Sequence, residues 1–162
     1  MALLELGSMI LQESQGCADV GIVVFQALHF MKRAYEVDIS ASVMARGRVR
    51  LQLSAAFNLL GRHVTALQYA QEAELLLNVE SRRSKDRLLG INEKLELRAI
   101  ALHNCCACHE YLGRYDLALR DIRVALECAP RDGPLYMQLE EVEMSVHKRA
   151  RRQNSPRRRF DR

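Results

Sequence analysis

Apolar positions along this chain recur at intervals of three and four residues, and short glycine-containing segments interrupt them. The clearest instance is 99–130, AIALHNCCACHEYLGRYDLALRDIRVALECAP. Leu102, Cys105, His109 and Leu112 share one face of a first helix, and Leu119, Ile122 and Leu126 share one face of a second. Leu112-Gly113-Arg114-Tyr115 is the turn between them. The small residues Cys106, Ala118 and Ala125 fall where the two helices must approach closely. Pro130 ends the hairpin, because it has no N–H to continue a helix. Residues 47–80 repeat this arrangement around Leu60-Gly61-Arg62-His63. Residues 1–38 read as a degenerate hairpin: Leu3, Leu6, Met9 and Ile10 form a stripe, Gly16-Cys17-Ala18-Asp19 a turn, and Val20 to about Val37 the return helix. Leu135, Leu139, Val142 and Val146 predict one more helix within 133–149, with Glu140, Glu141 and Glu143 facing outward. The segment 150–162 has almost no apolar content and predicts a disordered basic tail.

The hairpins resemble the tetratricopeptide repeat, a helical hairpin of about 34 residues. Counted from Ala99, Leu102 falls at that repeat's usual Trp, Cys105 at Leu, Cys106 at Gly and His109 at Tyr. Ala118, Ile122, Ala125 and Pro130 fall at its later Ala, Phe, Ala and Pro, and Gly113, Tyr115 and Asp116 match the turn. Counted from Gly47, Leu53, Ser54 and Phe57 match Leu, Gly and Tyr, and Ala66, Ala70 and Ala73 match the later positions. Arg50 departs at the Trp position and Asn78 at the proline. In the N-terminal hairpin, Asp19 aligns with Asp116, Gly21 with Ala118 and Phe25 with Ile122, while Glu5 and Ser8 stand where apolar residues are expected.

The resemblance implies an all-α fold: a TPR-like helical-hairpin solenoid. Its units are 1–38, 39–90 and 91–132, followed by a C-terminal capping helix (133–149) and a disordered basic tail (150–162). Gly61 and Gly113 lie 52 residues apart, more than one repeat. Two readings of the surplus stay open. The second helix of the middle hairpin runs on to about Leu89, with Gly90 ending it and Asn92 capping the next. Alternatively, a solvated loop carries Arg82, Arg83, Lys85 and Arg87.

Composition narrows the class further. Of 162 residues, 49% are hydrophobic and three are proline, which suits an all-helical chain with a core. The net charge of +4 misdescribes the chain. Residues 147–162 hold eight Lys or Arg against one Asp, and the other residues hold 16 basic against 19 acidic side chains. The body is therefore mildly acidic and the basic character is local. The N-terminal stretch has no basic start and carries Glu5, so it makes a poor signal peptide. No apolar run approaches the length of a membrane span, so no membrane insertion is expected. Five cysteines, odd in number and clustered, read as reduced thiols of an intracellular protein. A cytoplasmic or cytoskeletal place is expected first, a nuclear one second.

Cys105-Cys106-Ala107-Cys108-His109 satisfies the C-x-x-C-H pattern of covalent haem attachment. On the repeat register, however, Cys105, Cys108 and His109 point at the paired helix, and free cysteine packs as a small hydrophobe. Structural zinc would want a fourth ligand, for which Cys128 is the nearby candidate. His109 could act as a base beside a thiol, but the sequence offers no evident orienting carboxylate, oxyanion hole or cleft. His63 and His103 read as turn and groove surface. No phosphate-cradling loop or paired-carboxylate motif occurs. The expectation is a non-enzymatic protein with no catalytic residues, no cofactor and no metal.

In the family resembled, first helices line a concave groove that binds peptides. The corresponding protein-binding positions are Arg48, Leu51, Gln52, Ala55 and Asn58 in the middle hairpin. In the last they are His103, Asn104, Ala107, Glu110 and Tyr111. The implied function is that of an adaptor or scaffold holding a protein or peptide. Asn104 sits at one position of the Hsp70/Hsp90 carboxylate clamp. Leu51, Ala55, Pro134 and Gln138 replace its other members, which argues against such a co-chaperone. Lys148, Arg149, Arg151, Arg152, Arg157, Arg158 and Arg159 form the basic tail. They offer the alternative function of a polyanion-associated protein contacting RNA, a nuclear partner or an acidic cytoskeletal surface. Around Ser155 the sequence resembles a proline-directed phosphorylation site, where added negative charge would weaken polyanion binding.

Overall fold

The computed structural model describes residues 20–37, 42–83 and 91–154. These residues form an all-helical array: α1 (Val20–Val37), α2 (Val43–Leu59), α3 (His63–Arg83), α4 (Ile91–Tyr111), α5 (Tyr115–Cys128) and α6 (Pro134–Asn154). Consecutive helices pack in order from α1 to α6. In addition, α2 packs on α4, and α4 touches α6. No helix among the described residues is long and apolar enough to cross a membrane.

Local sequence explains most helix ends. The Ser42 side chain accepts a hydrogen bond from Ala45 N at 3.2 Å, capping α2. The two intra-hairpin turns are the same structure built twice. Gly61 (φ 69°) and Gly113 (φ 71°) take the left-handed conformation that glycine adopts without a Cβ clash. Gly61 N donates to Asn58 O and Arg62 N to Phe57 O; Gly113 N donates to Glu110 O and Arg114 N to His109 O. Each pair is the 5→2 and 6→1 set of a Schellman ending, which satisfies the last helical carbonyls. At the first turn the Arg62 guanidinium also lies over the Phe57 ring, 5.7 Å from its centroid. Helix α5 stops before Pro130, and α6 opens on Pro134, where a missing N–H costs nothing.

Three buried clusters hold the array together. Leu28, Met31, Val49, Leu53, Phe57, Ala66, Ala70, Cys105 and Cys108 belong to the first. Leu102, Cys106, Ala118, Ile122, Ala125, Leu139 and Val146 belong to the second. Leu51, Ala73 and Ala101 form a smaller third. Fully burying a Leu or Ile in such a cluster contributes about 1.5–3 kcal/mol. Helix α4 divides the two large clusters: Cys105 and Cys106, about 100° apart on the helix, pack into different ones. This corrects the expectation that Cys105 and Cys108 point, with His109, at the paired helix α5. Cys105, Cys108 and Leu112 pack toward the preceding hairpin, while Leu102 and Cys106 pack toward α5 and α6.

Other helix bounds also differ from the sequence reading. Helix α4 begins at Ile91, so Asn92 lies inside its first turn rather than before it. Helix α3 continues to Arg83; residues 84–90, including Lys85, Arg87, Leu89 and Gly90, lie outside the described residues. Helix α6 runs to Asn154, past the expected boundary at 149. Ala150, Arg151, Arg152 and Gln153 are good helix formers, and basic side chains in a last turn complement the negative end of the helix dipole. Arg151 and Arg152 are therefore helical, whereas Ser155, Arg157, Arg158 and Arg159 lie outside the described residues. Of the N-terminal hairpin, the helix expected before Val20 and its turn lie outside them too. Phe25, aligned with the buried Ile122, is 72% exposed, whereas Leu28 and Met31 of α1 are buried.

Candidate functional site

Cross-helix contacts involve four of the sequence-derived groove residues, Arg48 and Asn58 on α2 and Glu110 and Tyr111 on α4. Arg48 on α2 forms an ion pair with Glu93 on α4. Glu110, near the end of α4, accepts from Arg149 of α6 at 2.7 Å. One residue of the expected groove is thus joined to one assigned to the expected tail. Arg149 is a bracing residue of the last helix, which its place in a basic run does not reveal. Both pairs are partly exposed, so each is worth little alone. Their value lies in orienting three helices along one surface.

Asn58 and Tyr111 are brought together through a residue that the sequence placed only at a turn. His63 Nδ1 lies 2.6 Å from Asn58 Oδ1, and its ring stacks on Tyr111 at 4.2 Å between centroids, with the planes 4° apart. With an amide oxygen as acceptor, Nδ1 carries the proton and donates. Tyr111 remains 67% exposed, so one ring face is held and the other is open. Leu59 occupies the corresponding end of α2 and is 60% exposed. Beside them lies a shallow hollow of about 280 Å³ lined by Gly61, Arg62, His63, Val64, Thr65 and Leu112. Gln52, His103 and Asn104 are half-buried. Among the described residues, no hydrogen bond or ion pair links Gln52 or Asn104 to the other candidates. Burial holds the His103 imidazole below its ordinary pKa, which favours the neutral ring.

The cysteine-histidine cluster lies inside the protein. Cys105, Cys106, Cys108, His109 and Cys128 are all buried. Burial pushes the Cys106 thiol up to about 12 and that of Cys108 to about 11, and Cys105 and Cys128 are also raised. The nearby Asp121 carboxylate adds to the effect at Cys105 and Cys106. Protonated thiols are poor nucleophiles and poor metal ligands at neutral pH.

One expectation about this cluster is corrected. A carboxylate does stand beside His109: Asp121 Oδ2 is 3.6 Å from His109 Nε2, and both residues are buried. Asp121 Oδ1 accepts from Arg120 Nε at 3.2 Å and Nη2 at 3.0 Å, which holds a buried anion in place. Desolvation lowers the His109 pKa more than Asp121 raises it, and Arg114 and Arg120 lower it further. Among the described residues, nothing hydrogen-bonds to the buried His109 Nδ1. The pair is a buried packing contact between α4 and α5. Sequence reading misses Asp121 because it lies between Ala118 and Ile122 and looks like one more polar helical position. Its distance of 12 residues from His109 is the available signal. No group of three or more His, Cys, Asp or Glu among the described residues is placed to hold a metal ion.

Compared with protein-family models, curated proteins and solved structures, the chain finds no match in any of the three.

Proposed function

We propose that this chain is a tetratricopeptide-type adaptor that holds an extended protein segment against the surface of α2, α4 and α6. The observation carrying this reading is the duplicated hairpin. Two Schellman turns with the same hydrogen bonds lie 52 residues apart. Small buried residues recur at matching positions: Ser54 with Cys106, Ala66 with Ala118, and Ala73 with Ala125. Stacked hairpins repeat their orientation, so equivalent side chains of successive first helices face one way. Helix α6 acts as the cap: Leu139 and Val146 bury against α5, and Leu135 and Val142 support them. The presented side chains combine amides, an open aromatic face and both charge signs. Such a mixture suits hydrogen bonding to a peptide backbone more than capture of a single charged terminus.

The rival reading assigns binding to the basic C-terminal residues. Its support is the exposure of Lys148, Arg151 and Arg152 on α6. Affinity capture from cell extract with wild type, Tyr111→Ala, and a chain lacking residues 155–162 that also carries Lys148→Glu, Arg151→Glu and Arg152→Glu separates the two. Partners held by the adaptor surface are lost with Tyr111→Ala and survive raised salt. Partners held by basic residues are lost at raised salt and with the charge-reversed truncation.

A further inference from the structure

Helix α6 has two faces with different charge logic. Toward α4 and α5 its charges pair within the chain: Glu143 pairs with Arg123 at 3.1 Å and His147 lies 3.8 Å from Glu143, while Arg149 pairs with Glu110. The outer face presents Met137 and Met144, 67% and 65% exposed. Glu140, Glu141, Lys148, Arg151 and Arg152 surround them, all exposed. None of these five makes an ion pair with another described residue. At 100° per residue, Met137, Glu141, Met144, Lys148 and Arg151 form one stripe on the side opposite Leu139 and Val146. Acid occupies the N-terminal half of the stripe, base the C-terminal half, and an unbranched apolar side chain the middle.

We infer that this outer face of α6 is a self-association surface whose occupant is a second copy of the chain, with the two α6 helices antiparallel. The charge order selects the orientation. A two-fold axis near Met144 sets Met144 against its own copy. It sets Glu140 and Glu141 against the second copy's Lys148, within reach of its Arg151. Met137 then lies along the methylene stems of the second copy's Arg151 and Arg152, a packing mode open to long basic side chains. A parallel pair would instead oppose acid to acid and base to base. The antiparallel contact is isologous and closes at two chains. Methionine suits it, because an unbranched thioether adapts to a partner surface. This surface is separate from Tyr111 and Asn104 and does not depend on the adaptor reading.

Charge reversal provides the test, read as mass against concentration by sedimentation or light scattering of the full chain. Wild type is expected to form a dimer that dissociates on dilution and weakens with salt. Glu140→Lys with Glu141→Lys makes the stripe basic throughout, and Lys148→Glu with Arg151→Glu makes it acidic throughout. Each double variant alone should self-associate about tenfold more weakly or worse. An equimolar mixture of the two should regain the dimer as a heterodimer, because each acidic half again meets a basic one. That recovery also shows that both variants are folded. Wild type remaining monomeric at all concentrations overturns the proposal. So does self-association unaffected by either variant, or a mixture that fails to pair. Monomeric wild type that binds heparin, with Lys148→Glu and Arg151→Glu abolishing that binding, would assign the face to polyanions and overturn it equally.

Discussion

His109 and Asp121 meet across α4 and α5, 3.6 Å apart, where the preceding hairpin stacks Phe57 on Tyr69. Each pair is separated by 12 residues and occupies the same positions of its hairpin. The aromatic pair lies with ring centroids 5.5 Å apart and planes 3° from parallel. One hairpin thus closes its helix crossing with two rings, and the next with an imidazole and a carboxylate. The substitution makes the second crossing sensitive to protons.

The direction of that sensitivity follows from burial. The folded-state pKa of His109 lies below its ordinary value of 6.5, because desolvation outweighs Asp121 and is reinforced by Arg114 and Arg120. His103 is lowered by burial as well. Below the ordinary value, the unfolded chain binds protons that the folded chain resists. The contribution of both histidines is therefore complete above about pH 6.5 and declines as pH falls toward their folded-state values. Urea midpoints measured from about pH 8 to pH 5 should fall through the lower half of that range. Recreating the other hairpin's pair with His109→Phe and Asp121→Tyr should leave a shallower decline, owed to His103. A midpoint that rises on acidification would contradict this account.

The buried thiols should be chemically silent in the native state. Iodoacetamide at pH 8 requires thiolate, and Cys106 and Cys108 hold their protons up to about 12 and 11. Cys105, Cys106, Cys108 and Cys128 should alkylate only at the rate of unfolding, measured by mass spectrometry with and without denaturant. Cys106 has no exposed surface at the crossing with α5. Cys106→Leu should therefore destabilise by about 1–3 kcal/mol through overpacking. Cys106→Ala removes little volume and should be close to neutral.

Arg50 should be among the more costly charged residues to remove. It stands 52 residues before the buried Leu102, at the equivalent position of the preceding hairpin, with its side chain 12% exposed. Arg50 Nε donates to Glu72 at 3.0 Å, Nη1 to Arg46 O at 3.1 Å, and Nη2 to the Tyr35 hydroxyl at 3.4 Å. The guanidinium also lies 4.6 Å from the centre of the Tyr35 ring. Arg50→Ala loses all four contacts and should cost about 2 kcal/mol in chemical denaturation. Glu72→Gln should cost far less, because Glu72 is half exposed and an amide oxygen can still accept.

The all-helical architecture is legible because apolar spacing and glycine turns are local properties. Gly61 and Gly113 mark their turns for a backbone reason that no later contact alters. The division of α4 between two clusters is not legible in the same way. A helix buried on several sides carries apolar residues all round, so Cys105 and Cys106 look alike in sequence. The His63–Tyr111 stack and the Glu110–Arg149 pair depend on how one hairpin rests on the next. No single-helix pattern contains that information. The length of α6 is misread because a run rich in arginine resembles a disordered tail as closely as it resembles a helical last turn.

The final prediction concerns Tyr111, where stability and binding must be told apart. The His63 stack holds one ring face and leaves the other to solvent. Stacking of this kind contributes about 0.5–1.5 kcal/mol beyond buried area. Tyr111→Ala should therefore lower stability by about 1 kcal/mol even without a partner, and His63→Ala should lower it similarly. Their energies should not add, since each removes the same contact. Binding should separate the two: Tyr111→Ala deletes the open face as well, so it should weaken a partner more than His63→Ala does. Asn104→Ala should weaken the same partner with little effect on stability. Titrating one identified partner against the three variants, with a denaturation curve for each, checks the order. If His63→Ala and Tyr111→Ala weaken binding equally, the ring acts only through the stack, and the open face of Tyr111 is not the anchor.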